Sequence, residues 1–260
     1  QQGYSLSVSL DGPKDIHDAN RVNKRKEGTY DCLTENLARY RKEGIKVSAV
    51  CVLSKLSLGR EREIYETLKQ NVNGVRLNLF VPMGNGQGKN DSLGVKPEEA
   101  LESYLQFYQL WESDENEFDV KPFSEITRSL LTRRGESCEY SSSGCRRILS
   151  IGVDGEIYGC GRLYGLVPFL YGNINTNTLE QLLSSLGYAR KCERKESIAT
   201  LCSDCEFLGI CGGGCGAETF TTTGKFSDKS YYCHTKKGLF SHIKGRLASF
   251  AQPATTANAR

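Results

Sequence analysis

Long hydrophobic runs are missing from this sequence of 260 residues: nowhere do about 18 apolar side chains follow one another, the length that a membrane-spanning helix requires. The opening stretch also lacks the basic segment and short apolar core of a secretory signal. No membrane partner is therefore expected, and the cytoplasm is the expected compartment. An excess of one charge is equally lacking, since 34 Lys and Arg stand against 31 Asp and Glu for a net of +3, too little to argue for nucleic acid. Methionine is nearly absent, Met83 being the single one, and the chain opens on Gln1 directly in a strand-like pattern. A piece of a longer protein is the expectation. No internal repeat is visible.

What is present first is an alternation of strand and helix signals. Tyr4 to Leu10 is rich in strand formers and ends at Asp11-Gly12-Pro13, a turn signal. Thr29 to Gly44 carries Leu33, Leu37, Ala38 and Tyr40 near helical spacing, and Ile45 to Leu53 reads as the next strand. A short helix over Arg60 to Gln70 and a third strand over Val75 to Val81 follow. This order predicts crossover units on a parallel sheet. Met83 to Gly94 holds four glycines and is expected as a loop; its GNGQG run lacks the Lys-Ser/Thr of a phosphate loop. Pro97 opens a helix to about Trp111, and another is expected from Phe123 to Arg133.

The texture changes after that. Arg147 to Val153 and Glu156 to Gly159 flank Asp154-Gly155, a hairpin signal. Thr178-Leu-Glu-Gln181 is a capping box that predicts a helix from about Leu179 to Arg190. Thr235 to Phe250 reads as a last helix, with Lys236, Lys237, Lys244 and Arg246 forming a solvated basic face, and Gln252 to Arg260 as a frayed tail.

Eight of the 11 cysteines dominate this second part: Cys138, Cys145 and Cys160, then Cys202-x2-Cys205-x5-Cys211-x3-Cys215-x17-Cys233. Eight thiolates suffice for two four-ligand metal centres. Disulfides suit secreted chains and have no support here. Zinc is the serious rival, because Cys-x2-Cys is a zinc half-site, but a ribbon pairs two such knuckles and only one exists. Gly212-Gly213-Gly214 would let backbone approach a bulky cluster and donate to its sulfurs. Iron-sulfur is favoured over zinc.

The cysteine array, in its order and spacing, resembles the SPASM domain of radical SAM peptide-modifying enzymes. Ser7 to Pro13 with His17, Asp18 and Arg21, and Tyr171-Gly-Asn-Ile174, are similar to segments of anaerobic sulfatase maturases and ribosomal-peptide maturases. The resemblance implies an α/β fold: the C-terminal part of a partial (β/α)6 TIM-like barrel over residues 1–112, a helical linker over 113–137, a SPASM domain over 138–240, and a helix and tail over 241–260. It implies one auxiliary [4Fe-4S] cluster on Cys138, Cys145, Cys160 and Cys215, and a second on Cys202, Cys205, Cys211 and Cys233. By the same resemblance Ser9, Asp11 and Arg21 are candidate contacts to S-adenosylmethionine, with Asn78 and Leu79 beside its adenine. For Ser9 the position agrees, because active sites of parallel barrels lie at strand C-terminal ends. Cys32, Cys51 and Cys192 fall outside the pattern and are expected as small apolar residues.

Two departures matter. The Cys-x3-Cys-x2-Cys motif that holds the third, S-adenosylmethionine-reducing [4Fe-4S] cluster is absent, as is Gly-Gly-Glu-Pro. Both are expected in a full-length parent, and the fragment alone is expected to be inactive, with a strand over Tyr4 to Leu10 left unpaired along one edge. Sulfatase maturases carry an aspartate as general base directly after the third cysteine of the first auxiliary cluster. Here Gly161 stands at that place, followed by Arg162, and glycine cannot take a proton. The Cys160-Gly161-Arg162 run is more similar to maturases that crosslink residues in short ribosomally made peptides, and this resemblance implies maturation of such a peptide, cyclophane or other side-chain crosslinking included, by a 5′-deoxyadenosyl radical. Anaerobic sulfatase maturation is the alternative, and a non-catalytic zinc-binding peptide-docking module is the alternative of another class. Expected partners are a precursor peptide or protein and an electron donor such as ferredoxin or flavodoxin.

Overall fold

The computed structural model describes residues 5–115, 117–135, 137–141, 145 and 148–251, the side chains of Asn85 and Ala251 excepted. They fall into two units, one within residues 1–82 and 86–124, the other within 83–85 and 125–260. Tyr4 and the expected tail at Gln252 to Arg260 lie outside the described residues.

The first unit runs β1 (Leu6–Ser9), α1 (Lys14–Asn20), α2 (Tyr30–Lys42), β2 (Val47–Leu53), α3 (Glu61–Asn71), β3 (Gly74–Leu79), α4 (Asn90–Leu93), α5 (Pro97–Glu112) and β4 (Asp119–Lys121), and ends in the first turn of α6 (Phe123–Thr132). The four strands pair in parallel, in sequence order. In β2 the side chains of Val47, Ala49, Cys51 and Leu53 are buried while Ser48 is exposed, the period-two pattern of a strand with one covered face. The helices contribute Leu37, Ile64, Leu68 and Phe107, none more than 2% exposed. Each such side chain stabilises the fold by about 1.5–3 kcal/mol relative to exposure. Asn73, between α3 and β3, locks the register: its amide donates to Val47 O at 2.8 Å, and its side-chain oxygen accepts from Val47 N at 3.0 Å. Among the described residues β1 pairs only with β2, and Leu6 is 41% exposed on that edge.

The second unit has a three-stranded antiparallel sheet of β5 (Ser150–Ile151), β6 (Glu156–Tyr158) and β7 (Leu170–Asn173), joined first by the expected turn with Gly155 at φ 81°. Then come α7 (Leu179–Leu183), α8 (Leu186–Leu201), α9 (Leu208–Cys211), α10 (Gly216–Thr223) and α11 (Cys233–Ala251). The capping box at Thr178 is formed, but the expected helix to Arg190 is two helices. Ser184 and Ser185 in tandem offer side-chain oxygens that compete with the helical backbone, and Ser185 caps α8 by accepting from Tyr188 N at 3.2 Å. The glycine-rich segment after Met83 holds a 3-10 turn at Gly84–Gly86 and α4 rather than continuous loop. Among the described residues no helix is long and apolar enough to cross a membrane.

Candidate functional site

The cysteines occupy two separate surroundings in the second unit. Cys202, Cys205, Cys211 and Cys233 line one cavity, walled by Phe207, Leu208 and Phe240, with Lys236 at its edge. Phe207 and Phe240 are stacked at 5.2 Å. Cys145, Cys160 and Cys215 instead pack in an apolar cluster with Leu163, Phe169 and Phe226. Cys138 is exposed and outside that cluster, but Cys145 and Cys160 are near enough to help raise its thiol pKa, after partial desolvation and Glu139.

Local backbone explains how neighbours in sequence are separated in space. Gly212, Gly213 and Gly214 all have left-handed φ, at 59°, 79° and 75°, a conformation that costs roughly 1–2 kcal/mol for each residue carrying a Cβ. The turn reverses hand between Cys211 and Cys215, and the two sulfurs go to different surroundings. A Cβ on Gly213 would lie 2.6 Å from Ile198, so space as well as φ demands glycine there.

Buried cations hold the irregular backbone around the sulfurs. Lys191 donates to the carbonyls of Cys145, Ile148 and Gly159, that to Ile148 at 2.9 Å. Arg194 donates to those of Phe226, Asp228, Gly213 and Gly214, the last two at 3.0 and 3.3 Å. Gly187, Lys191, Arg194 and Ile198 form one buried stripe along α8; this helical spacing is the signal that a reading of charges as solvated passes over. Lys236 corrects the expected basic face: Lys237 and Lys244 are exposed, but Lys236 is 4% exposed and ion-paired with Glu139. Burial opposes its charge, and Glu139, Tyr140 and Glu218 outweigh burial and hold it protonated. Glu218, in α10, accepts from Ser230 Oγ at 2.6 Å and Tyr231 N at 3.0 Å, tying α10 to the segment before Cys233.

These surroundings fit iron-sulfur clusters. Burial pushes the Cys211 thiol up to about 11, against the pull of Lys236. Burial does the same for Cys215, against Arg162. Without metal these thiols stay protonated and inert; ligation requires thiolates and so expels their protons. A cubane takes one thiolate per iron and needs sulfurs spread round a volume, whereas zinc draws four sulfurs to about 2.3 Å from one point. The cavity lined by Cys202, Cys205, Cys211 and Cys233 gathers four thiols round one space, and among the described residues no three Cys, His, Asp or Glu side chains converge as for a single ion. Beside the first set, the hydroxyl of Tyr171 is buried and has no partner among the described residues, an orphan that a cluster sulfur would satisfy. Of the remaining cysteines, Cys51 is buried as expected, Cys192 is half-buried, and Cys32 is exposed on α2.

The first unit builds a different site at the end of β1. Asp11 is 1% exposed. Its carboxylate accepts from Arg21 Nε at 2.8 Å and Nη2 at 3.2 Å, and from Val52 N at 2.9 Å. His17 lies beneath: Nδ1 accepts from Asp11 N at 3.3 Å, which assigns the proton to Nε2, 3.0 Å from Thr29 Oγ1. Burial lowers the His17 pKa, which agrees with that neutral tautomer. Asp11 and Arg21 are thus brought together, the carboxylate filled by its own chain, while Ser9 stands exposed at the strand end. Asn78 and Leu79 end β3 half-buried.

Residues 143–206 match the SPASM family, an iron-sulfur cluster-binding domain, and the chain therefore carries a SPASM iron-sulfur domain. Across most of its length it is similar to anaerobic sulfatase-maturating enzymes. It is 22% identical over 253 residues to the cysteine-type enzyme of Clostridium perfringens, covering 95% of this chain and 68% of that one. It is 21% identical over 263 residues to the serine-type enzyme of Bacteroides thetaiotaomicron, covering 94% and 63%. The fold is that of the solved structure of native anSMEcpe with bound AdoMet, with a TM-score of 0.78 at 21% identity, over 94% of this chain and 67% of that one. The same protein with AdoMet and the Kp18Cys peptide superposes with a TM-score of 0.75.

Proposed function

We propose that this chain is the auxiliary-cluster part, with the end of the barrel, of a radical SAM enzyme that modifies a peptide or protein. The observation that carries the reading is the sorting of the cysteines into two surroundings, four around one apolar-walled cavity and three packed with Leu163 and Phe169, with the exposed Cys138 near enough to two of those three to feel their charge. In this reading Cys138, Cys145, Cys160 and Cys215 hold one [4Fe-4S] cluster and Cys202, Cys205, Cys211 and Cys233 the other. When bound, the clusters supply one-electron transfer to and from an external ferredoxin or flavodoxin. The protein keeps water away through Phe207 and Phe240, and fixes the loops through Lys191 and Arg194. At the end of β1, Ser9 and Arg21 face S-adenosylmethionine, and Asp11 orients Arg21 through its two-point contact.

The substrate reading turns on Gly161. A Cβ there would meet nothing within 4 Å, so the chain leaves room at the place of the sulfatase maturases' base and supplies no acid or base of its own. This favours side-chain crosslinking in a ribosomally made peptide. Sulfatase maturation is the second reading, supported by the names of the relatives it matches. The test takes the enzyme that contains this chain, purified without oxygen, with about twelve irons per chain expected, eight of them on the two auxiliary clusters; colourless zinc protein would sink the proposal. Product chemistry then separates the readings. A crosslink removes two hydrogens from the peptide and leaves no carbonyl, whereas oxidation of serine or cysteine leaves an aldehyde that a hydrazide captures.

A further inference from the structure

Arg162 follows the candidate ligand Cys160 by two residues, yet its guanidinium is directed at another member of the set, with Nη1 3.4 Å from Cys215 Sγ. The same sulfur receives a second donor, the amide of Glu218 at 3.5 Å, because Cys215 is the N-cap of α10. A phenol lies near the same set. Tyr171 is 5% exposed, its hydroxyl would be 3.3 Å from a Cβ on Gly159, the residue before Cys160, and it has no acceptor among the described residues. An O–H buried in this way costs about 1–3 kcal/mol unless something accepts from it.

We infer that Arg162 and Tyr171 are the positioning donors that set the reduction potential of the cluster on Cys138, Cys145, Cys160 and Cys215, an inference that rests on reading those four as ligands. The physical step is one-electron reduction by a low-potential ferredoxin or flavodoxin. No bond forms or breaks, and the cluster with its thiolates gains one negative charge. A fixed cation and hydrogen bonds to sulfur stabilise the more negative state, and so raise the potential. At the second set three lysines, Lys229, Lys236 and Lys237, line the cavity, and the buried one, Lys236, is ion-paired with Glu139. The departure from sulfatase maturases after Cys160 thereby has a positive content: in place of a proton acceptor, the stretch delivers a hydrogen-bonding cation to the cluster.

The test is a potentiometric titration of the reconstituted enzyme, with both auxiliary clusters followed by electron paramagnetic resonance. In Arg162→Gln the reduced-to-oxidised ratio of the first cluster at fixed ambient potential is expected to fall about tenfold, or about 59 mV for one electron, with the second cluster unmoved. Arg162→Lys, which keeps the charge, recovers most of the fall. Tyr171→Phe, which removes only the hydroxyl, gives a smaller fall of the same sign. Unchanged first-cluster midpoints overturn the inference, and a shift in the arginine variant alone overturns the tyrosine's part. Where Arg162→Gln loads a single cluster, 15N-arginine in the unaltered enzyme decides: a hyperfine coupling to the reduced first cluster upholds the inference, and its absence overturns it. Bound zinc, or no cluster signal, defeats the ligand reading instead and so separates the two failures.

Discussion

The two units hold themselves together by different means. In the first, the strands' backbone polar groups are satisfied by a parallel ladder, and the buried carboxylate of Asp11 is filled by Arg21 and Val52 N. In the second, the strands are two to four residues long, and long irregular stretches between cysteines leave carbonyls that no ladder reaches. Lys191 and Arg194 reach them instead. A buried carbonyl must have a donor from somewhere, and where the covalent path is dictated by metal ligands, long cationic side chains are the adaptable source.

The sharpest break of this comparison is to remove iron. Chelation under reducing conditions is expected to abolish slow hydrogen exchange across residues 198–240 while the amides of β2 and β3 keep their protection; equal loss in both units would contradict it. Next in size is Lys191→Met, which strips the donor from three carbonyls. At about 1–3 kcal/mol for each unsatisfied group, a destabilisation of about 3 kcal/mol or more is expected in denaturant titrations of the loaded protein. Gly213→Ala should cost about 2–4 kcal/mol, from left-handed strain and the approach to Ile198, and should lower iron content at the same time.

The smallest effect is on the first unit and has a definite sign. Because the folded-state pKa of His17 lies below its ordinary 6.5, the unfolded chain takes up the proton first as pH falls. The contribution of His17 is therefore complete above about pH 6.5 and is lost as pH falls from there towards the folded value. Thermal melts between pH 8 and 5 should show this decline, and His17→Gln should flatten it.

Much of the first unit was legible because turn residues and apolar periodicity agree: Asp11-Gly12-Pro13 closes β1, and Pro97 opens α5 where expected. β4 was not legible, since three residues carry too little pattern to separate a strand from a loop. In the second unit the candidate ligands announced themselves by type and spacing. Their supports did not, because Lys191, Arg194 and Lys236 are buried, and Arg162 half-buried, by what they meet in space, and charge in a sequence reads as exposure. Only the stripe from Gly187 to Ile198 held a usable sign. The pairing of Ser184 with Ser185 was a readable interruption of α7 that the capping box masked.

The mirror-handed turn at Gly212–Gly214 bears on how such a chain can vary. It works as a sorting step, in which the number of residues decides which centre receives the next sulfur. A substitution elsewhere can be absorbed by a neighbour. An insertion or deletion of one residue here would rotate Cys215 away from Arg162 and Cys160 towards the opposite centre, and no single nearby replacement would turn it back. Length, more than composition, is what descent has to preserve in this stretch.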